Sequence, residues 1–357
     1  RGTASFRHTE CSSFPVIHPD KRRLIMQDLN WLHLFFASIM ALAILLYAIL
    51  DGYDLGVGIL LPHKNEKQRD TMIASIGPFW DANETWLVLA VGLLLIVFPK
   101  AYNLVLHELY LPATLMLLGL ILRGVAFDFR AKVAADFKPY WDRLFTIGSL
   151  VTALMQGYML GQFVVGFDQH ALSQAFCLLS AVGVAAAHAY IGATWLVMRT
   201  EDDLQRRAAV WARRYGKLAC FGVLAVCVVN PAINTEVFHK WFRFPEAGLL
   251  LHIPLLSVAI VVINDHLLKR MPLERDLGNW IPFAGVVALF VLCFQGLAYS
   301  FYPWIVPGRM TMLEAASAVE SLAFLLTGTV IVVPVILAYT VLSYRIFRGK
   351  TTQLKYY

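Results

Sequence analysis

The chain has 357 residues, of which 59% are hydrophobic and only 15% are charged, a composition too apolar for a soluble protein of this length. A formal net charge of +6 can indicate a nucleic-acid partner, but here the Lys and Arg residues cluster between apolar runs. That arrangement is typical of membrane topology signals, so we expect contact with membrane lipid and no binding of nucleic acid. The five cysteines form no CxxC pair, which argues against a disulfide framework or a zinc site.

The first 25 residues are polar and lack the continuous apolar segment of a secretory signal. Met26 stands just before the first apolar run. We therefore expect residues 1–25 to be a polar leader that is disordered or not native. Residues 26–357 are expected to form a single transmembrane domain, because mostly short connections join the apolar runs.

The apolar runs predict an all-α, polytopic membrane protein with about nine transmembrane helices, since a spanning helix needs about 20 apolar residues. Such a set would pack as two four-helix bundles plus one peripheral helix. The loop 199–217 is long enough for a separate amphipathic helix on the membrane surface. The predicted spans are 31–61, 72–98, 109–127, 144–166, 171–198, 217–238, 248–268, 280–302 and 317–344.

Basic residues predict the orientation of these spans. Lys and Arg concentrate in alternate loops and in the C-terminal tail, and they are sparse in the loops between. Because basic loops stay in the cytoplasm, we expect the N-terminus outside and the C-terminus in the cytoplasm. The sparse loops contain Lys100, Lys240, Arg243 and Arg309.

Two acids lie near the end of the first predicted helix. Asp51 and Asp54 share a helical face with Tyr47, while Gly52 and Gly56 form a GxxxG pair on another face, which permits close contact between helices. Both acids can simply mark the cytoplasmic boundary of the membrane. They can also be functional, because carboxylates within membrane segments are rare and costly.

The second predicted helix carries a deeper pair of acids. Asp81 follows Asp70 by eleven residues, and Glu84 lies on the same face as Asp81. With a rise of 1.5 Å per residue, Asp81 would be about 15 Å into the membrane, near its middle. Such a pair either bonds helices together or faces an interior where it relays protons.

Arg123, at the end of the third run, has two interpretations. Its side chain can extend to the cytoplasmic surface, or it can turn inward as the counter-ion of a buried carboxylate such as Asp81. Among the histidines, His188, His252 and His266 lie in or near predicted helices, but paired haem ligation needs a second helix with matching histidines. We therefore assign no cofactor or metal to this chain.

Four motifs resemble subunit II of the cytochrome bd-type quinol oxidases, particularly the cyanide-insensitive branch. They are LDGYDLGVGIL at 50–60, SIGPFWDANETWL at 75–87, ILRGVAFDFR at 121–130 and YPWIVPGRMTMLEAAS at 302–317. The resemblance runs from about residue 30 to residue 350. It implies a protein of the bacterial cytoplasmic (inner) membrane that pairs with a similarly folded subunit I.

The resemblance also implies a function. The complex oxidises quinol and reduces O2 to water, subunit I carries haem b and haem d type groups, and subunit II stabilises it and contributes a cytoplasmic proton path. By motif position the path residues are Asp81, Asp54 and Asp51, with Arg123 as electrostatic partner. Glu84 stands where other members can carry glutamine, so only an auxiliary role is expected for it. The resemblance leaves room for a small accessory subunit and a structural quinone or lipid.

An alternative from another class is a proton-coupled secondary transporter, which also places acids within early membrane helices. Such a protein would show inverted repeats and interrupted helices around a central site, and neither is evident in the sequence. A third interpretation is a structural subunit whose acids only hold helices together. We favour the oxidase subunit because all four motifs occur in the family's order.

Overall fold

The computed structural model describes residues 31–62, 65–243, 246–273 and 278–351. The predicted leader, residues 1–25, lies outside them. The helices are α1 (Trp31–Ile59), α2 (Glu66–Ile76), α3 (Trp80–Val97), α4 (Pro99–Lys132), α5 (Lys138–Val164), α6 (Ala171–Arg199), α7 (Asp202–Ile233), α8 (Thr235–Phe242), α9 (Glu246–Leu250), α10 (His252–Leu268), α11 (Ile281–Phe301), α12 (Met312–Ala315) and α13 (Val319–Ile346). A 3-10 turn, Ala135–Phe137, precedes α5, and strands β1 (Trp304–Val306) and β2 (Met310–Thr311) precede α12.

Eight of these helices are long and apolar enough to cross a membrane, and α10 is a shorter apolar helix. This confirms the predicted all-α, polytopic fold. Helices α1, α3, α4 and α5 pack together, as do α6, α7, α10 and α11, while α13 makes only light contact with α1 and α3. The arrangement is two groups of four helices with one peripheral helix, and the contacts of α6 with α5 and α1 join the groups.

Small residues allow that close contact, as the GxxxG pair predicted. A Cβ atom added to Gly56 would lie only 1.8 Å from the carbonyl oxygen of His188. A Cβ on Gly192 would likewise approach the backbone of Gly56 to 2.6 Å. The two backbones touch here, so a larger side chain on either helix would force the groups apart.

Two predicted elements are wrong. The span 72–98 is not continuous, because α2 ends at Ile76 and α3 begins at Trp80. Pro78 lacks the N–H that a continuous helix requires, and the Phe79 N–H bonds Ile76 O instead, at 2.9 Å in a tighter turn. The segment 199–217 is not a separate surface helix either, since most of it forms the first half of α7, which continues unbroken to Ile233.

The connection from α11 to α13 forms a small antiparallel hairpin of β1 and β2. Thr311 caps α12 through a reciprocal pair of hydrogen bonds with Glu314. Lys100 donates to the backbone carbonyl of Glu314 at 3.3 Å, and Arg309 pairs with Glu108 at 2.6 Å. Two of the four basic residues in the sparsely basic loops therefore hold this hairpin in place.

Candidate functional site

Three of the four acids singled out from the sequence meet where the end of α1, the beginning of α3 and the last third of α4 converge. We call five residues the inner network: Asp51, Asp54, Asn83, Glu84 and Arg123. Asp51, Asp54 and Asn83 are fully buried, and Arg123 is 1% exposed. Burial of so many polar groups within helices of membrane-spanning length is costly for any group that lacks a partner.

Arg123 is the centre of the inner network. Its Nη2 atom donates to Asp51 Oδ1 at 2.7 Å and to Glu84 Oε1 at 2.6 Å. Arg123 is therefore turned inward, and the interpretation in which it extends to the surface is wrong. Its carboxylate partners are Asp51 and Glu84, whereas the sequence had suggested Asp81. Asp51 is likewise a buried ion-pair partner and not a boundary marker.

Asp54 has a different kind of partner. The side-chain amide of Asn83 donates to Asp54 Oδ2 at 2.7 Å and also contacts the Tyr53 hydroxyl at 3.0 Å. Among the residues that the structure describes, no Lys or Arg forms an ion pair with Asp54. Among these residues, its only hydrogen-bond donor is the neutral amide of Asn83. A neutral donor can bond a carboxyl group without requiring that the group be ionised.

A pair of tyrosines extends the inner network to α13. The hydroxyls of Tyr53 and Tyr344 are 2.6 Å apart, and Tyr344 donates to Asn83 Oδ1 at 3.1 Å. The Tyr53 ring stacks on Trp195 at 4.2 Å, and the guanidinium of Arg199 lies 5.3 Å from the Trp195 ring. Sequence reasoning missed this extension, because nothing in the sequence places residue 344 beside residue 53.

The charges of the inner network do not balance. Three carboxyl groups, those of Asp51, Asp54 and Glu84, surround the single guanidinium of Arg123. Within the described part of the chain, Asp51 Oδ2, Asp54 Oδ1 and Arg123 Nη1 are buried and form no hydrogen bond. Buried charges without partners are costly, so this group of side chains is chemically suited to gain or lose a proton.

Asp81 lies outside the inner network. It is exposed on the first turn of α3, and the depth of about 15 Å was calculated for one continuous helix, which α2 and α3 do not form. Asp128, which is also exposed, is its main charged neighbour, and the rings of Trp80 and Phe127 beside them are 5.0 Å apart. Asp128 was not among the predicted site residues, although it lies in the third motif.

A second group of charges, the clamp, consists of Arg69, Asp70, Arg130 and Asp142. Asp142 contacts Arg69 at 2.7 Å through one oxygen and Arg130 at 2.5 Å through the other. Arg130 also pairs with Asp70 at 2.7 Å. The clamp ties α2 to the end of α4 and the start of α5, on the loop side of the inner network.

Of the three histidines considered as haem ligands, only His188 is buried. His188 is buried, but Gly52 covers one edge of its ring: a Cβ added there would lie 3.3 Å from Nε2. His252 and His266 are exposed. No group of three or more His, Cys, Asp or Glu side chains suitable for a metal occurs among the described residues. We derive no cofactor chemistry from this chain.

Comparison with known proteins identifies the family. The family model for cytochrome bd terminal oxidase subunit II matches residues 32–347. The chain belongs to this family. Membership displaces the transporter alternative, and it implies a subunit I partner and haem groups within the assembled complex. Together with the eight apolar helices, it identifies a multi-pass protein of the inner membrane.

The sequences of individual relatives align with nearly the whole chain. The cytochrome bd-I ubiquinol oxidase subunit 2 of Escherichia coli K12 is 28% identical, over 92% of this chain and 97% of the relative. The cytochrome bd ubiquinol oxidase subunit 2 of Bacillus subtilis is 27% identical, over 90% and 97%. A chain of the bd oxidase from Geobacillus thermodenitrificans has the same fold, with a TM-score of 0.73 over 88% of this chain and 98% of that chain, at 18% identity.

Proposed function

We propose that this chain is the haem-free second subunit of a quinol oxidase that reduces O2 to water, and that it stabilises a haem-bearing subunit I. The names of its relatives and its length relative to theirs support this proposal. Catalysis then belongs to the complex.

Within that complex we assign this chain a proton path from the cytoplasm. The observation that carries the assignment is the acid excess of the inner network, where Arg123 pairs with Asp51 and Glu84 while a third carboxyl group, Asp54, has only the neutral donor Asn83 among the described residues. Asp54 is assigned proton uptake, and Arg123 and Asp51 set the local electrostatics. Glu84, whose side chain is 30% exposed, is the auxiliary acid between the buried groups and the surface.

Asp81 is assigned the relay at the surface of α3. A carboxylate on the outer face of a membrane helix is unfavourable against lipid, and here Asp81 and Asp128 are both exposed on neighbouring helices. We therefore place subunit I, or water between the two subunits, against this face. The predicted orientation, with the N-terminus outside and the C-terminus in the cytoplasm, puts the connections at this end of α1, α3 and α4 in the cytoplasm.

Replacing Asp81 with Asn in the assembled oxidase tests this function. We expect quinol-dependent O2 consumption to fall on the order of a hundredfold while the haem spectrum stays intact, because Asn has nearly the same shape but cannot relay a proton. Asp203→Asn is a matched control, since Asp203 is exposed on the first turn of α7. Unchanged turnover in Asp81→Asn with full haem content would remove Asp81 from the path.

A further inference from the structure

A cavity of about 280 Å³ lies at the opposite end of the helices from the inner network. We call it the basic pocket, and its lining residues are His239, Lys240, Arg243, Tyr299 and Tyr302. Three of these side chains can carry positive charge, and two are phenols that can donate a hydrogen bond. We propose that the basic pocket binds the phosphate of an acidic phospholipid headgroup.

The position of α8 supports a lipid ligand. This short helix connects the spanning helix α7 to α9 and α10, so it lies where the chain reverses at the membrane surface. Its Val237 side chain is buried, whereas Phe238 and Phe242 are 47% and 63% exposed and their rings contact each other at 4.9 Å. Exposed aromatic residues beside basic ones are typical of helices that lie in the membrane interface.

Backbone contacts fix one wall of the pocket. Lys240 donates to the carbonyl oxygens of Ser300, at 3.2 Å, and Tyr302. Trp241, the next residue, donates from its indole to the Ser300 hydroxyl at 2.8 Å. These bonds hold α8 against the end of α11, so the ammonium group of Lys240 is placed before a ligand arrives.

The positive charge of the pocket is not neutralised within the part of the chain that the structure describes. No carboxylate there forms an ion pair with His239, Lys240 or Arg243. Glu236, the acid on α8, is turned to Trp304, whose indole donates to it at 3.1 Å. The pocket is therefore complementary to an anion, and a phosphate can accept hydrogen bonds from several of its groups at once.

The distribution of basic residues points the same way. Of the four basic residues in the sparsely basic loops, Lys100 and Arg309 are used by the hairpin, and the other two line this pocket. The cavity is large enough for a headgroup but not for acyl chains. Those chains would lie along the apolar surface at the start of α10, where Leu251, just before the helix, and Leu255 within it are 54% and 60% exposed.

The test uses the complete oxidase purified in detergent, with tightly bound lipid measured by mass spectrometry after a delipidating wash. We expect Arg243→Gln to retain about one tenth of the phosphatidylglycerol that the unmodified protein retains, because the substitution removes one charge-assisted hydrogen bond. Lys100→Gln, on the same side but outside the pocket, is the matched control and should retain it. The Arg243 side chain has no described partner, so its replacement should leave the fold intact.

A second measurement identifies the ligand. Phosphatidylglycerol added to the delipidated oxidase should raise its melting temperature, whereas phosphatidylcholine and inorganic phosphate should not, and Arg243→Gln should abolish the effect. Equal stabilisation by inorganic phosphate would show a free-anion site and overturn the proposal. Equal lipid retention by Arg243→Gln and the unmodified oxidase would also overturn it. Neither readout depends on turnover, so the result is independent of the proton path.

Discussion

The inner network and the clamp are two groups of interacting charges that share helix α4, and they differ in balance. In the clamp, two arginines meet two aspartates, and each oxygen of Asp142 contacts a different arginine. In the inner network, Arg123 pairs with two carboxyl groups, and the third, Asp54, is bonded by Asn83, a neutral donor. The clamp pairs equal numbers of acids and bases, whereas the inner network has more acids than bases.

This difference distinguishes charged groups that stabilise the fold from charged groups that can exchange protons. A balanced group ties elements together and gains nothing from releasing a proton, so the clamp fixes α2 against α4 and α5. An acid-rich group is costly to keep fully ionised, and a proton that comes and goes lowers that cost. The comparison predicts that substitutions in the clamp reduce stability, whereas isosteric substitutions of acids in the inner network reduce turnover.

The largest expected effect comes from replacing Arg123 with Met. The change removes the shared cation and leaves Asp51 buried without its partner, at a cost of about 5 kcal/mol, the upper end for breaking a buried ion pair. We expect little assembled oxidase in membranes, which immunodetection of both subunits measures. Arg123→Lys, which keeps the charge, should retain more. In Arg123→Met/Asp51→Leu, which also removes the unpaired charge, assembly should partly recover.

A normal amount of assembled oxidase in Arg123→Met would contradict the central role of this arginine. Failure of the double variant to recover would indicate that Arg123 acts through Glu84 rather than through Asp51. The two ion pairs have nearly equal lengths, 2.7 and 2.6 Å, but only the Asp51 pair is fully buried. The double variant therefore tests burial as the source of the cost.

An intermediate effect is expected from two aspartate-to-asparagine substitutions that should behave in opposite ways. Asp54→Asn keeps the shape of a residue that has no ionic partner among the described residues, so thermal stability should change little while turnover falls on the order of a hundredfold. Asp142→Asn leaves two arginines with one aspartate and should cost about 3 kcal/mol of stability, with turnover per assembled complex unchanged. Thermal melting and O2 consumption of each purified variant measure both quantities.

The opposite pattern would invert the assigned roles. A destabilised Asp54→Asn with normal turnover would make the inner network structural. A stable Asp142→Asn with low turnover would bring the clamp into the proton path. The stability and turnover of both variants are compared with those of Asp203→Asn, the exposed control also used for Asp81→Asn.

Much of this architecture could be predicted from the sequence, because hydrophobic runs of membrane length specify helices with little ambiguity. The acids of the inner network could also be found, since carboxylates in such runs are conspicuous. Their pairing could not. The break at Pro78 changed the position of Asp81, and contacts such as Arg123 with Asp51, 72 residues apart, depend on how helices pack. Asn83 and Tyr344 carry no charge, so no rule about membrane charges singled them out.

The smallest expected effect comes from Tyr344→Phe, which tests whether the tyrosine pair belongs to the inner network. The substitution removes a hydroxyl that lies 2.6 Å from Tyr53 and 3.1 Å from Asn83, while the ring can still stack on Phe79. The loss of these hydrogen bonds should lower stability by about 1 kcal/mol. Asn83 is then held less firmly against Asp54. If this raises the activation free energy by up to about 1 kcal/mol, turnover should fall by a factor of about two to five.

Tyr339→Phe, on an exposed part of the same helix, is the control. If Tyr344→Phe and Tyr339→Phe turn over equally fast, the proposed path ends at Asn83 and the tyrosine pair only joins α13 to the first group of helices.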